Sequence, residues 1–343
     1  MLDHDTLAVI WFILLGVLLT GYVVLDGFDL GVGILHLVAR KDDERRVTIN
    51  SIGPLWDGNE VWLITFGGAL FAAYRNAYAT IFSAFYSAFM LLLLALIFRA
   101  VSIEFRSKVQ SPRWRSVWDV AFSLSSLTAA LLFGVAGGNI IQGIAIDQNM
   151  VYQGTFFDFL TPYALIVGLL TVTLFAMHGS IYLFLKTEGD LQQRIKGWMW
   201  RTFFAFAAMF ALATGWTWFA VPEATQPFFD HWWLAVVPIL NVLAILNIPR
   251  AIHKGKPGFA FVSSSCVIIA LAFLLSVALF PNLVRSSLDP LYSISIFEDG
   301  RSSAKTLGIM LLIAGLGMPC VLAYSAVIYW TFRGKVKLDS SSY

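Results

Sequence analysis

The chain has 343 residues, of which 58% are hydrophobic and 13% are charged, and its mean hydropathy is +0.75. A soluble domain carries about 25% charged residues, so this composition excludes a soluble globular protein and indicates an integral membrane protein. The net charge of +2 is small, and no basic cluster with interleaved aromatic residues indicates a nucleic-acid partner.

Nine apolar stretches of roughly 20 residues follow one another, and each is long enough to cross a hydrocarbon core of ~30 Å. The second is the least apolar, and the seventh is short and contains Pro238. We therefore predict an all-α membrane protein with nine transmembrane helices and no separate soluble domain. Their approximate bounds are 7–38, 49–73, 77–98, 117–137, 161–185, 199–220, 232–249, 259–281 and 307–332.

Lys and Arg residues are distributed unevenly among the predicted loops. Nineteen of the 23 lie in the first, third, fifth and seventh loops and the C-terminal tail. Because cytoplasmic loops are enriched in Lys and Arg, we expect the N-terminus outside and the C-terminus in the cytoplasm. No Lys or Arg precedes the first apolar stretch, which argues against a cleaved signal peptide.

Two pairs of carboxylates interrupt the first two apolar stretches. Asp26 and Asp29 form one pair, and Asp57 and Glu60 form the other, within the segment 56–62. An ionisable group at bilayer depth costs roughly 2.5 to 3.5 kcal/mol, so it normally faces a bundle interior and marks a path for protons, ions or substrate. The i, i+3 spacing places both members of a pair on one helix face.

The same residues predict two polar stripes. If the first two helices are antiparallel, a rise of 1.5 Å per residue brings Asp29 and Asp57 to a similar depth. His36 lies seven residues from Asp29, and Asn50 lies seven residues from Asp57, each close to the same helix face. We expect these stripes to connect the cytoplasm to the middle of the membrane, as a proton path would.

Structural roles for these acids remain open alternatives. Asn59, a Trp indole or Arg99 could satisfy Asp57 and Glu60, and Asp29 could form a buried pair with Arg99 or with a Lys of another span. Pro54 could start or kink the second helix and so move Asn50 off its stripe.

Other residues indicate packing rather than redox chemistry. Gly27 and Gly31 form a small-xxx-small pair that favours close approach of a neighbouring helix. His178 lies alone in the fifth span, and we expect a hydrogen-bonded helix contact there rather than a haem ligand. Cys266 and Cys320 lack CxxC spacing and are expected to be small buried side chains. We predict no haem ligand and no metal site in this chain.

Several motifs resemble subunit II of the cytochrome bd quinol oxidases of prokaryotic respiratory chains. The match runs motif by motif over about the first 145 residues, and the remainder is similar in span count and length. The matching segments are Asp26-Gly27-Phe28-Asp29-Leu30-Gly31-Val32-Gly33, Arg45-Arg46, Asn50-Ser51-Ile52, Pro54, Trp56-Asp57-Gly58-Asn59-Glu60-Val61-Trp62-Leu63, Gly67 to Ala72, Phe98-Arg99, Phe105-Arg106-Ser107-Lys108, Gly137-Gly138-Asn139 and Gln142-Gly143.

The resemblance implies a partner, subunit I, that carries two b-type haems and one d-type haem and oxidises quinol at the outer face of a prokaryotic cell membrane. It also implies two four-helix bundles, about 7–137 and 161–281, a peripheral ninth helix at 307–332, and pairing with subunit I about a pseudo-two-fold axis. In such complexes small single-span subunits often join, and subunit II can hold a structural quinone.

The resemblance further implies that subunit II binds no haem and contributes an acid at position 57 to a cytoplasmic proton channel. Some relatives carry Gln at position 60, so ionisation of Glu60 is not essential to the family chemistry. An ion-coupled secondary transporter and a purely scaffolding subunit are the alternatives. The expected path residues are Asp57, Asp29, Asp26, Glu60, Asn50 and His36, with Trp56, Gly58, Asn59, Trp62, Arg99, Gly27 and Gly31 as structural residues around them.

Overall fold

The structure is a computed structural model that describes residues 2–297 and 300–338. This part of the chain forms twelve α-helices, joined by turns, four short 3-10 helices and one small antiparallel hairpin of β1 (Asn282–Val284) and β2 (Ile294–Ser295). The helices are α1 His4–Leu35, α2 Asp42–Ile52, α3 Trp56–Ala73, α4 Arg75–Ala84, α5 Tyr86–Phe105, α6 Pro112–Gln142, α7 Pro162–Lys186, α8 Gly189–Ala220, α9 Pro222–Asp230, α10 Val236–His253, α11 Pro257–Leu279 and α12 Ala304–Thr331.

Within the described residues, eight helices are long and apolar enough to cross a membrane, which confirms an all-helical, multi-pass protein. They are α1, α5, α6, α7, α8, α10, α11 and α12, with α1 and α10 each extended by an adjoining 3-10 turn. Helix α3 has 18 residues, and its first turns carry Asp57, Asn59 and Glu60. Because of these polar side chains, α3 is less apolar than the eight candidate membrane-spanning helices.

The predicted second span, 49–73, is not one helix. Helix α2 ends at Ile52, residues 53–55 form a turn, and α3 begins at Trp56. Pro54 lies in this turn, where its missing N–H interrupts the helical hydrogen-bond ladder. Asn50 therefore belongs to α2, and the predicted stripe through Asn50 and Asp57 on one continuous helix is wrong.

The predicted third span, 77–98, is also divided. Helix α4 ends at Ala84, Phe85 lies between the helices, and α5 runs from Tyr86 to Phe105. Only α5 meets the requirements for a membrane span, so the apolar segment lies further along the chain than its sequence bounds predict.

Helix α1 packs closely against α7 through glycines. A Cβ on Gly31 would overlap the backbone carbonyl of Phe175, and a Cβ on Gly179 would overlap the backbone of Gly31. A Cβ on Gly27 would lie 3.0 Å from the Phe175 ring. Small residues let two backbones approach in a membrane, where packing rather than the hydrophobic effect drives association.

The outer surfaces of several helices are apolar. Helix α12 is the least enclosed of the long helices, and Leu312, Ile313, Leu316 and Val327 on it are exposed. The two cysteines also lie on the chain surface, so the expectation that Cys266 and Cys320 are buried is wrong. In a bilayer, lipid or another membrane chain can cover such surfaces without cost, because no water must be displaced from them.

Candidate functional site

Arg99 of α5 links two helices that carry acids. Its two terminal nitrogens donate to the two oxygens of Asp26 on α1, at 2.8 and 2.7 Å. One of them also lies 3.4 Å from Glu60 Oε2 on α3. Arg99 and Asp26 are fully buried, and the Glu60 side chain is 18% exposed. Bidentate geometry makes the Arg99–Asp26 pair the stronger contact.

Asp29 lies next to this pair but binds different partners. Its Oδ2 accepts a hydrogen bond of 2.7 Å from Asn59 Nδ2 of α3. The Asn59 Oδ1 in turn accepts one of 2.9 Å from the Tyr329 hydroxyl of α12. Asp29 is fully buried, and its Oδ1 has no hydrogen-bond partner among residues 2–297 and 300–338. We call Asp26, Asp29, Asn59, Glu60, Arg99 and Tyr329 the acid cluster.

The acid cluster has more carboxyl groups than cations. Three carboxyl groups, those of Asp26, Asp29 and Glu60, share the single guanidinium of Arg99. Uncompensated charge is costly away from water, so the cluster is stabilised by holding protons as well as Arg99. A group of this kind is chemically able to take up and release a proton.

Arg99 pairs chiefly with Asp26, which neither structural alternative named, and it contacts Glu60 at 3.4 Å, as one alternative allowed. A buried pair of Arg99 with Asp29 was the other alternative, whereas Arg99 binds Asp26 and leaves Asp29 to an amide. Asn59 and Arg99, expected around the site, are members of the cluster itself. Tyr329 of α12 also reaches the cluster, through its hydroxyl.

Asp57 lies outside the acid cluster. It is exposed on α3, while Glu60 three residues later turns towards Arg99. Of the four acids in the first two apolar stretches, three therefore converge and Asp57 faces away from the chain. The side chain of Asp57 is therefore accessible to whatever lies beside α3.

The remaining residues of the Asp57 segment have packing roles. Trp62 is buried, and its ring lies against Gly21 of α1, where a Cβ would overlap it. Trp56 is half-buried and packs against the main apolar core. Gly58 is exposed, and a Cβ there would contact nothing within 4 Å among the residues described. Close packing thus explains Trp62 and Gly21 but does not explain a glycine at position 58.

A second buried cluster forms around Asp119 of α6. His36 Nε2 lies 2.7 Å from Asp119 Oδ1, and the other ring nitrogen lies 2.7 Å from Thr48 Oγ1 of α2. Arg106 Nε donates to the same Asp119 oxygen at 2.5 Å, and Arg45 donates to Oδ2 at 2.9 Å. His36, Arg106 and Asp119 are all buried.

Asp42 extends this second cluster towards the surface. Its two carboxylate oxygens accept hydrogen bonds of 2.6 Å from Arg106 and 2.7 Å from Arg115. We call His36, Asp42, Arg45, Thr48, Arg106, Arg115 and Asp119 the arginine cluster. It ties the end of α1, the helix α2, the end of α5 and the start of α6 to one another.

His36 and Asn50 have contacts of a structural kind. Both ring nitrogens of His36 face Thr48 and Asp119, so His36 belongs to the arginine cluster rather than to a stripe below Asp29. Asn50 Nδ2 donates to the Arg46 carbonyl one turn earlier in its own helix, at 2.8 Å.

Asp119 was missed in the sequence, although a signal for it was present. It lies inside the predicted fourth span, 117–137, and the criterion that selected Asp26 would also have selected it. Arg106 belongs to a family motif, but the sequence does not reveal that its partner is Asp119.

His178 is held by hydrogen bonds at both ring nitrogens. Nδ1 lies 2.7 Å from Ser264 Oγ, Nε2 lies 3.1 Å from the Val24 carbonyl, and the ring stacks on Phe261. This is the helix contact that the sequence predicts, and it does not fit a haem ligand, which needs a free ring nitrogen. Within the described residues, no group of three or more His, Cys, Asp or Glu side chains is placed to hold a metal ion.

Glu44 of α2 forms a separate ion pair with Arg194 of α8. Its Oε2 also accepts hydrogen bonds from the backbone N–H groups of Arg40, at 2.9 Å, and Lys41, at 3.2 Å. Partial burial acts to raise the pKa of Glu44, but the hydrogen bonds from Arg194, Lys41 and Arg40 outweigh it and hold the pKa below its usual 4.5.

Known proteins are similar to this chain in sequence and in fold. The sequence model of the family described as cytochrome bd terminal oxidase subunit II matches residues 7–332. Cytochrome bd-I ubiquinol oxidase subunit 2 of Escherichia coli (strain K12) is 36% identical over a 367-residue alignment that covers 98% of this chain and 97% of the relative. Cytochrome bd ubiquinol oxidase subunit 2 of Bacillus subtilis (strain 168) is 34% identical over 341 residues, covering 97% of this chain and 96% of the relative.

A solved structure has the same fold at low sequence identity. A chain in the structure of bd oxidase from Geobacillus thermodenitrificans superposes with a TM-score of 0.78 and is 15% identical. The superposition covers 95% of this chain and 98% of that chain. The similarity therefore extends over the whole helical arrangement.

Proposed function

This chain belongs to the cytochrome bd terminal oxidase subunit II family, and we propose that it is the haem-free subunit that builds part of the proton path in a bd-type quinol:oxygen oxidoreductase. Family membership makes it a subunit of a respiratory oxidase complex in a bacterial membrane, and it confirms the resemblance drawn from the motifs.

Subunit I is the partner, and it supplies the redox chemistry through two b-type haems and one d-type haem. The occupied ring nitrogens of His178 support the assignment of the haems to subunit I. The two subunits pair about a pseudo-two-fold axis, small single-span subunits can join them, and quinol is the electron donor. A structural quinone would bind to this chain at an exposed apolar helix surface, such as that of α12.

The membrane topology follows the Lys and Arg distribution. The N-terminus lies outside, the C-terminus lies in the cytoplasm, and α3 is the ninth span in addition to the eight apolar helices. Helices α1, α3, α5 and α6 form the first bundle, α7, α8, α10 and α11 form the second, and α12 is peripheral. The low burial of α12 supports its peripheral position.

The observation that carries the proposal is the arrangement of acids on α3. One face of this helix presents Glu60 to a cluster with excess carboxyl groups, and another presents Asp57 beyond the chain. An exposed acid in an otherwise apolar surface is costly in lipid, so Asp57 is best accommodated against another protein chain or water. We assign Asp57 as the principal proton-relay group at the contact with subunit I.

The acid cluster holds protons close to this relay. Asp26, Asp29 and Glu60 supply the excess carboxyl groups, and Arg99 limits how much negative charge the cluster accumulates. His36 lies in the arginine cluster and Asn50 lies on α2, and their place on the route from the cytoplasm to Asp57 stays a prediction. Moving a proton from the cytoplasm across the membrane against 100 mV requires about 2.3 kcal/mol. This movement of charge makes the oxidase electrogenic without a pump.

The test is Asp57→Asn in the assembled oxidase, with Asp43→Asn as the matched control, because Asp43 is also exposed but lies on α2. We expect the haem absorption spectrum to be retained, and proton uptake coupled to oxygen reduction to fall at least tenfold in Asp57→Asn only. Unimpaired proton uptake with a retained spectrum would remove Asp57 from the path. Loss of haem would assign Asp57 to assembly instead.

A scaffolding function is the second candidate. The arginine cluster favours this function for its own end of the bundle, because Asp42 and Asp119 are both paired with arginines. Proton uptake that is insensitive to replacement of Asp26, Asp29, Asp57 and Glu60 in turn would establish scaffolding for the whole chain. A transporter would purify without a haem-bearing partner.

A further inference from the structure

We propose that Tyr329 is a positioning residue that sets the orientation of the Asn59 amide, and that this orientation decides whether the carboxylate form of Asp29 is stabilised. The inference deepens the proposed function, since it rests on the acid cluster being part of the proton path. It makes α12, the peripheral helix, a contributor to that path.

Three polar groups from three helices form a continuous hydrogen-bonded chain. The Tyr329 hydroxyl donates to Asn59 Oδ1 at 2.9 Å, and Asn59 Nδ2 donates to Asp29 Oδ2 at 2.7 Å. The same amide nitrogen lies 3.4 Å from the Leu25 carbonyl, which can only accept. The amide thus presents its NH2 group to two acceptors and its oxygen to a donor.

The orientation of this amide matters because an amide has a donor end and an acceptor end. With its NH2 group towards Asp29, Asn59 stabilises a carboxylate. If the amide turned over, its oxygen would face Asp29, and only a protonated carboxyl could then form a hydrogen bond with it. Asn59 therefore couples its own orientation to the proton on Asp29.

In the described part of the chain, Asn59 is the hydrogen-bond donor to the Asp29 carboxyl group. Arg99 is engaged by both oxygens of Asp26, and Asp29 Oδ1 is buried without a hydrogen bond in the described part of the chain. Besides the nearby positive charge of Arg99, the carboxylate form of Asp29 is stabilised by a hydrogen bond from one amide, and the oxygen of that amide accepts a hydrogen bond from one phenol.

Helix α12 is anchored so that Tyr329 keeps its place. Lys186 Nζ of α7 donates to the Phe332 carbonyl at 2.5 Å, directly after the helix ends. The backbone N–H of Val336 donates to the Lys186 carbonyl at 2.8 Å. These contacts hold the end of α12 one turn from Tyr329, although most of the helix surface is exposed.

The experiment replaces the hydroxyl alone, as Tyr329→Phe, in the intact oxidase complex. Tyr324→Phe is the matched control, because Tyr324 lies on the same helix and is 62% exposed. Removing the hydroxyl leaves Asn59 Oδ1 buried without a donor, which favours the reversed amide. Since an unmade buried hydrogen bond is worth about a tenfold change in equilibrium, we expect the pH profile of oxygen consumption to move by about one pH unit.

Infrared difference spectroscopy provides a readout that a merely structural role would not change. We expect Tyr329→Phe to increase the carbonyl band of a protonated carboxyl group at neutral pH, and Asp29→Asn to abolish the increase. Tyr324→Phe should leave the band and the pH profile as in the wild type. An unchanged band and an unchanged profile in Tyr329→Phe would overturn the inference.

A double-mutant cycle keeps the inference testable if Tyr329→Phe assembles poorly. In an Asn59→Ala background Tyr329 has no amide to orient, so Tyr329→Phe should cause no further change in the band. Additive effects of the two substitutions would contradict the mechanism. Failure of the proposed function would give a different result. If Tyr329→Phe increased the band while proton uptake stayed normal in both Tyr329→Phe and Asp57→Asn, Tyr329 would keep its positioning role. Tyr329 and Asp57 would then not belong to the proton path.

Discussion

The acid cluster and the arginine cluster are both buried, and both join helices through carboxylates and guanidinium groups, but their charges are balanced differently. In the acid cluster three carboxyl groups share Arg99, and Asp29 depends on an amide. In the arginine cluster three arginines serve Asp42 and Asp119, and each of these acids binds at least two of them. Excess acid creates a capacity for protons, whereas in the arginine cluster the arginines outnumber the acids.

This difference distinguishes the cluster that we propose as part of the proton path from one whose contacts are structural. A proton that arrived at Asp119 would break contacts to His36, Arg45 and Arg106 at once. A proton that arrives in the acid cluster relieves a surplus of negative charge instead. Burial and charge alone would have made both clusters candidates, and the pattern of partners distinguishes them.

Asp119→Asn should cause the largest loss of stability. The substitution leaves the buried Arg106 with Asp42 as its remaining acid, and removal of one partner from a buried ion pair costs about 3 to 5 kcal/mol. Thermal unfolding of the purified complex measures the loss, with Asp43→Asn as the control. A loss similar to that of the control would mean that the arginine cluster is not the structural one.

Asp26→Asn should cost less, although the Arg99–Asp26 pair is completely buried. Glu60 lies within reach of Arg99 and can take over part of the pairing, so we expect a loss of about 1.5 to 3 kcal/mol, as for hydrogen bonds to a charged group. In Asp26→Asn with Glu60→Gln the loss should exceed the sum of the single losses. Additive losses in thermal unfolding would show that Glu60 does not compensate.

Glu44→Gln should cost only about 0.2 to 1 kcal/mol, because the Glu44–Arg194 pair is partly exposed. Folding lowers the pKa of Glu44 from its usual value of 4.5. The stabilisation by the ion pair is therefore complete above pH 4.5 and is lost as the pH falls through the lowered pKa. As the pH falls below 4.5 and through the lowered pKa, the wild type should therefore lose the advantage that it holds over Glu44→Gln at neutral pH. Equal stability of the two proteins at neutral pH would contradict this interpretation.

Asp57→Asn should have the smallest effect on stability, within about 0.5 kcal/mol, because Asp57 is exposed on this chain. Thermal unfolding of this chain separated from its partner would detect any larger change. A marked loss there would place Asp57 within the packing of its own subunit and contradict its assignment to the contact with subunit I.

The sequence by itself determined the membrane class, eight of the spans and the family. Hydrophobic length is a local property, because roughly 20 apolar residues cross a bilayer whatever surrounds them. The cost of a charge in lipid is equally local, which is why the sequence alone predicts that Asp26 and Asp29 face inwards. The glycines at positions 27 and 31 indicated close packing for the same reason.

Only the tertiary structure decided which acids meet and which partner each of them binds. Asp57 and Glu60 lie three residues apart, yet one faces outwards and the other faces Arg99, because the direction of a helical side chain acquires meaning only from the neighbouring helices. Tyr329 approaches Asn59 across 270 positions of the sequence. Hydrogen bonds between side chains require a match of position and direction within a few tenths of an ångström, and that match exists only after the helices have packed.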